Sequence, residues 1–250
     1  MPRILMLAAW SFLMIAVSAS AAAVKTQDVT FPSGPEIIKG YLAAPESPGK
    51  YPALVVIHED WGLTDWVKGQ TRKLAAQGYV ALAVDLYRGR VAYDPQLAYE
   101  LMVSTPQDRA LRDLQAALKF LVSRSDVNEE KIGSIGWSAG GKWSLLLAEN
   151  DLFLAACVLN YAPLPTDPTE IQKIRAPVLA IFGEDDRSIP ASDVEAFEGA
   201  MNSAHKSVDV IVYPSAGHAF ENSDIKLGYR ESAAQDAWQR TVAFLDQHLK

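Results

Sequence analysis

Residues Gly136-Trp137-Ser138-Ala139-Gly140 constrain this chain more than any other stretch. They close the run Lys131-Ile132-Gly133-Ser134-Ile135-Gly136-Trp137, which alternates as a strand does. They open Gly141-Lys142-Trp143-Ser144-Leu145-Leu146-Leu147-Ala148, which reads as a helix. A serine pinned between a strand and a helix, with a glycine two residues to either side, is a nucleophile elbow. The turn is too tight for a side chain at either flank, so both positions go to glycine. The Ser138 hydroxyl then projects from the carboxyl edge of a sheet, where the next helix offers free N–H groups and a positive dipole to an oxyanion. A Gly/Ser-rich loop that happens to match is the alternative, and the strand before and helix after weigh against it.

The rest of the chain alternates strand and helix in the same way. Asp28 to Phe31 and Ile37 to Ala43 read as an antiparallel pair around Pro32-Ser33-Gly34-Pro35. Ala53 to Ile57 is a continuous apolar strand, the pattern expected when both faces of a sheet are covered. A helix over Asp65 to Gln77 stops at Gly78, and Val80 to Val84 is the next strand. Pro106 to Arg124 is an amphipathic helix with Leu111, Leu114, Leu118 and Leu121 at helical spacing, capped by Thr105. Then follow strand Ile132 to Trp137, helix Ala139 to Glu149, strand Ala155 to Asn160 and a proline-rich loop over Tyr161 to Thr169. Strand Val178 to Phe182, helix Ala191 to Ala204, strand Val208 to Tyr213 and helix Tyr229 to Leu249 complete the pattern. Such alternation predicts an α/β fold, with a mostly parallel central sheet and helices on both faces. No repeat or linker interrupts it, so residues 24–250 are expected to form one domain. Ligands gather at the carboxyl ends of strands in such sheets.

The first 23 residues read as a signal peptide rather than as part of the fold. Arg3 supplies the charge, Ile4 to Val17 an apolar run, and Ser18-Ala19-Ser20-Ala21-Ala22-Ala23 small residues for cleavage after Ala21 or Ala23. An uncleaved anchor is the alternative, but a spanning helix needs about 20 apolar residues. Periplasmic or secreted localisation is therefore expected, without stable membrane insertion after cleavage. A net charge of -7 and a pI of about 5.1 disfavour a nucleic-acid partner. The single cysteine, Cys157, excludes an internal disulfide and lies in an apolar run, where a buried inert thiol is expected.

A serine hydroxyl needs a base to take its proton. Of the four histidines, His218 is the candidate, because it lies in the loop after the last strand. An acid must fix the base's tautomer. Gly183-Glu184-Asp185-Asp186 follows the Val178 to Phe182 strand, and Asp186 is the choice, with Asp185 its rival. The oxyanion needs two backbone N–H groups. Ala139 supplies one and the loop His58-Glu59-Asp60-Trp61-Gly62 the other, with the Asp60 N–H preferred. No metal-ligand spacing appears, and the chemistry requires no cofactor.

Five pieces together resemble the dienelactone hydrolase family, within the α/β-hydrolase fold, over the whole length after the leader. They are Val56 to Gly62, Asp85-Leu86-Tyr87-Arg88-Gly89-Arg90, Gly133 to Gly141, Gly183 to Pro190, and Gly217-His218-Ala219-Phe220. The resemblance implies that Glu59 lies beside the nucleophile and pairs with it at rest. It also implies that Arg90 faces a substrate carboxylate and that Tyr87 and Tyr161 line the pocket. Arg88 and Arg90 read equally well as solvated loop cations. Trp61, Trp66, Tyr93 and Trp137 are pocket walls or core. Two departures stand out. Ser138 replaces the cysteine of members best known for dienelactone, and Asn222 stands where the family has a second substrate-binding arginine. Both favour a broader carboxylic-ester or lactone hydrolase. Its partner is expected to be a small-molecule ester or lactone, and the protein a monomer. A carboxylate-bearing lactone, a peptide substrate and a non-catalytic binding role are the alternatives.

Overall fold

The computed structural model describes residues 23–165 and 167–250. The expected leader lies outside the described residues, apart from Ala23. The chain opens with a hairpin of β1 (Val24–Ser33) and β2 (Glu36–Pro45), turned at Gly34 with φ 58. Then come β3 (Tyr51–Ile57), β4 (Val80–Val84), β5 (Val127–Trp137), β6 (Ala156–Asn160), β7 (Val178–Gly183) and β8 (Val208–Tyr213). They form one sheet in the order β1-β2-β4-β3-β5-β6-β7-β8. Pairing is antiparallel at β1–β2 and β2–β4 and parallel elsewhere.

The alternation of side chains along β3 divides the core in two. Val55 and Ile57 join one cluster with Leu114, Leu118 and Leu121 of α3 (Gln107–Val122), Leu147 of α4 (Ala139–Asn150) and Phe197 of α6 (Ala191–Ser203). Leu54 and Val56 join the other with Val67 and Leu74 of α1 (Asp65–Ala76) and Ala237 and Leu245 of α7 (Glu231–Leu249). All four β3 residues are fully buried, and each such side chain contributes about 1.5–3 kcal/mol. A strand covered on both faces must be apolar throughout, which is why β3, β4 and β6 carry no alternation in burial. Cys157 is buried on β6, and burial pushes its thiol up to about 11.

The expected pattern needs four corrections. A helix absent from the sequence reading, α2 (Pro95–Val103), lies between β4 and α3. The Asp94 carboxylate caps it by accepting from the Leu97 N–H at 2.8 Å, and Pro95 occupies its first turn. Thr105 does not cap the next helix. Its hydroxyl donates back to the Leu101 carbonyl at 2.8 Å, and α3 starts after Pro106 with no side-chain cap. The Tyr161 to Thr169 loop ends in a short helix, α5 (Pro168–Lys173), capped by Asp167. Strand β5 also begins five residues earlier than the apolar pattern suggests, because Val127 to Lys131 carries mostly polar side chains.

Strand order reverses at β3, with β4 on one side and β5 on the other. A crevice opens outside the carboxyl ends of strands at such a switch point. Glu59 and Asp60 follow β3 there, and Ser138 follows β5.

Candidate active site

Ser138 sits at φ 52 and ψ −121, outside the helix it precedes. A non-glycine residue in that region stores about 1–3 kcal/mol, held in place by its surroundings. Those surroundings are visible. The Ser138 N–H donates to the Asn160 carbonyl at 2.9 Å, and the Asn160 side chain donates to the Gly136 carbonyl at 3.1 Å. A Cβ on Gly136 would lie 2.0 Å from the Gly140 carbonyl oxygen, and one on Gly140 would lie 2.3 Å from the Ile57 carbonyl oxygen. Both obstacles are backbone, so neither position admits a side chain.

Three polar side chains form a continuous relay. The Ser138 Oγ lies 3.0 Å from His218 Nε2, and His218 Nδ1 lies 2.7 Å from Asp186 Oδ2. A carboxylate only accepts, so Nδ1 carries the proton and the Nε2 lone pair faces the hydroxyl. The other Asp186 oxygen accepts from the N–H groups of Ser188 at 2.8 Å and Ile189 at 3.3 Å, which locks the carboxylate's orientation. Asp186 is buried, whereas Asp185 is exposed. Burial favours a neutral His218, but the Asp186 hydrogen bond and the charges of Asp186, Asp60 and Glu59 outweigh it and raise the imidazole above its ordinary value. Tyr161 supports the ring edge-on at a centroid distance of 5.2 Å.

Two acids follow β3, and they behave differently. Glu59 is buried, accepting from the Tyr161 hydroxyl at 3.1 Å and the Asn222 amide at 2.6 Å. Burial pushes its carboxyl up to about 7 against the pull of those bonds. Asp60 is half-buried, and its side chain reaches Ser138. One carboxylate oxygen accepts from the Ala139 N–H at 3.2 Å, and both lie 3.4 Å from Ser138 Oγ. Neighbouring His58 holds this loop in place. Its Nδ1 donates to the Glu59 carbonyl at 2.7 Å, and its Nε2 accepts from the Leu86 N–H at 3.3 Å. Burial keeps that imidazole neutral, as the second bond requires.

Glu59, Asp60, Trp61, Ser138 and His218 line one cavity of about 280 Å³. Its opposite wall is Ala98, Tyr99 and Met102 of α2, with Ala219 and Ile225 alongside. Sequence reasoning missed that wall. The signal was present in Asp94-Pro95 followed by apolar Leu97, Ala98, Leu101 and Met102 at helical spacing.

The dienelactone hydrolase family model matches residues 38–249. The chain belongs to the dienelactone hydrolase family. A carboxymethylenebutenolidase candidate of Yersinia pestis is 34% identical over 236 residues, covering 88% of each chain. A candidate 2-oxo-3-(5-oxofuran-2-ylidene)propanoate lactonase of Bradyrhizobium sp is 30% identical over 84% of this chain and 89% of its own. The crystal structure of a dienelactone hydrolase candidate from Klebsiella pneumoniae subsp. pneumoniae MGH 78578 is similar at a TM-score of 0.83 and 30% identity, covering 90% of this chain and 99% of that one. The sheet order and two-faced helix cover are those of the α/β-hydrolase fold.

Against the family expectations, several residues sit elsewhere. Glu59 borders the cavity but hydrogen-bonds to Tyr161 and Asn222, and Asp60 rather than Glu59 reaches Ser138. Tyr161 and Tyr87 are buried beneath the site and do not line the cavity. Tyr87 packs edge-on against His58 at 4.5 Å. Arg90 is exposed and lines a different cavity with Asp28, Lys39 and Asp85. Arg88 pairs with Glu36 and with Asp113, the latter at 2.7 Å, tying the loop after β4 to the hairpin and α3. Trp66 and Trp137 are core, packed edge-on at 5.2 Å, and Tyr93 is exposed.

Proposed function

We propose that the protein is an exported serine hydrolase of carboxylic esters or lactones, working through an acyl-enzyme. The observation that carries this reading is the unbroken hydrogen-bond relay from Ser138 through His218 to Asp186 at a strained elbow. The lactonase and carboxymethylenebutenolidase names of the relatives support the substrate class. Export is inferred from the composition of residues 1–23, and the sheet begins at Val24, so cleavage of the leader leaves it whole. No helix of the described residues is long and apolar enough to cross a membrane.

Ser138 Oγ attacks the carbonyl carbon while His218 Nε2 takes its proton. Asp186 holds Nδ1–H and stabilises the imidazolium as it forms. The N–H groups of Ala139 and Asp60 receive the oxyanion. The tetrahedral adduct collapses, the bond to the leaving oxygen breaks, and that oxygen takes the proton from His218. Water then attacks the acyl carbon, giving its proton to His218. The adduct collapses, the bond to Ser138 Oγ breaks, Oγ takes that proton back from His218, and the carboxylic acid leaves.

A fluorophosphonate probe tests the nucleophile. The folded protein is expected to be labelled at Ser138 and at no other serine, as read by peptide mass. Absence of label at Ser138 overturns the mechanism. The pH dependence tests the base. His218 must be neutral to accept a proton, and its imidazole is raised above 6.5. The value of kcat/KM is therefore expected to fall about tenfold per pH unit on the acid side, below an apparent pKa above the ordinary histidine value. An acid limb centred below that value contradicts the assignment of His218.

A further inference from the structure

Asp60 places a carboxylate where the chemistry needs an empty donor. Its oxygen accepts from the Ala139 N–H at 3.2 Å, one of the two N–H groups assigned to the oxyanion. Both of its oxygens lie 3.4 Å from the Ser138 hydroxyl. A substrate carbonyl must displace this side chain to reach Ala139, and the charge that develops on the carbonyl oxygen then lies beside a carboxylate.

Nothing nearby offsets that charge with a fixed cation. Among the described residues, no lysine or arginine lines the cavity. Arg88 is held by Glu36 and Asp113, and Arg90 faces a different cavity. The amide of Asn222 is engaged with Glu59. A second acid, Glu59, borders the same cavity, and the remaining wall is largely apolar: Trp61, Ala98, Tyr99, Met102 and Ile225. A substrate carboxylate entering this space meets the Asp60 carboxylate and no lysine or arginine. Like charges brought together at a binding site suppress the wrong partner.

We propose that Asp60 is a specificity-determining residue that makes this site select uncharged and cationic esters or lactones and reject carboxylate-bearing ones. An uncharged substrate needs only to move the carboxylate off Ala139. A cationic substituent gives that carboxylate a partner once it has moved. The inference rests on the serine-hydrolase reading above and names the substrate class for it.

A matched pair of aryl acetates, 4-acetoxybenzamide and 4-acetoxybenzoate, tests it on the folded protein. The wild-type kcat/KM for the amide is expected to exceed that for the carboxylate by about tenfold or more, mainly through KM. In Asp60→Asn, which keeps the size and removes the charge, the ratio is expected to shrink to within about threefold. Asp60→Ser serves if the asparagine variant does not fold. A measurement on the wild type alone gives the same contrast: phenylboronic acid is expected to inhibit at least about tenfold more tightly than 4-carboxyphenylboronic acid. A wild-type ratio near one, a preference for the carboxylate, or an unchanged ratio in both Asp60 variants overturns the proposal. If Ser138 is labelled by the fluorophosphonate and the charge preference is reversed, only this inference falls. If Ser138 is not labelled and neither ester turns over, the hydrolase reading falls and takes the inference with it.

Discussion

Replacing Ser138 by alanine is expected to lower kcat for a short-chain aryl ester by about 10⁴–10⁶-fold while leaving the protein folded. The hydroxyl is the only atom removed, and its partner His218 Nε2, 3.0 Å away, is left with nothing to deprotonate at the carbonyl. Residual hydrolysis comes from donors and binding alone. The backbone at residue 138 keeps its φ of 52, which costs alanine about what it costs serine. The flanking clearance is governed by Gly136 and Gly140, which are unchanged. Thermal unfolding is therefore expected within about 3 °C of the wild type, since removing one hydroxyl leaves no sizeable cavity and no change in the backbone. Retention of more than about one per cent of wild-type kcat contradicts a Ser138 acyl-enzyme.

Asp186→Asn is expected to cost about 10⁴-fold in kcat. The reason is orientation. The N–H groups of Ser188 and Ile189 both point at one Asp186 oxygen, so the asparagine carbonyl must take that place. Its NH₂ then faces His218 Nδ1, which lies 2.7 Å from the other carboxylate oxygen in the wild type. A donor there forces Nδ1 to accept and puts the ring proton on Nε2. The imidazole then presents a proton, not a lone pair, to the serine. Asp185→Asn is the control. That side chain is exposed and makes no contact with His218, so activity is expected to change less than about twofold. The comparison is read from kcat of the two variants side by side. Equal losses in both contradict the relay.

Asp185 and Asp186 show where sequence reasoning reaches its limit. Both follow the same strand, and adjacent residues in a turn point in different directions. The choice depends on a turn in which the Asp186 N–H donates to the Gly183 carbonyl at 3.2 Å. Glu59 and Asp60 repeat the lesson. The sequence points to Asp60 in the loop after β3 for its N–H, whereas the structure shows its side chain in contact with Ser138. Glu59, expected beside the nucleophile, is instead held by Tyr161 and Asn222. Those partners lie 102 and 163 residues away along the chain. Arg90 illustrates the same point for a loop: a cation near a strand end can face either side of it, and this one faces the hairpin cavity.

The sequence by itself determined the elements buried on both faces, the elbow and the chain order of serine, acid pair and histidine. Those features are local. A continuous apolar run, a turn too tight for a Cβ at Gly136, or a loop after a strand is dictated by its near neighbours in the chain. Tertiary structure alone decided which carboxylate meets His218, which acid occupies the Ala139 N–H, and that α2 closes the cavity. Each of those depends on side chains converging from separate strands, and hydrogen bonds of about 3 Å select among neighbours only after the backbone has brought them together.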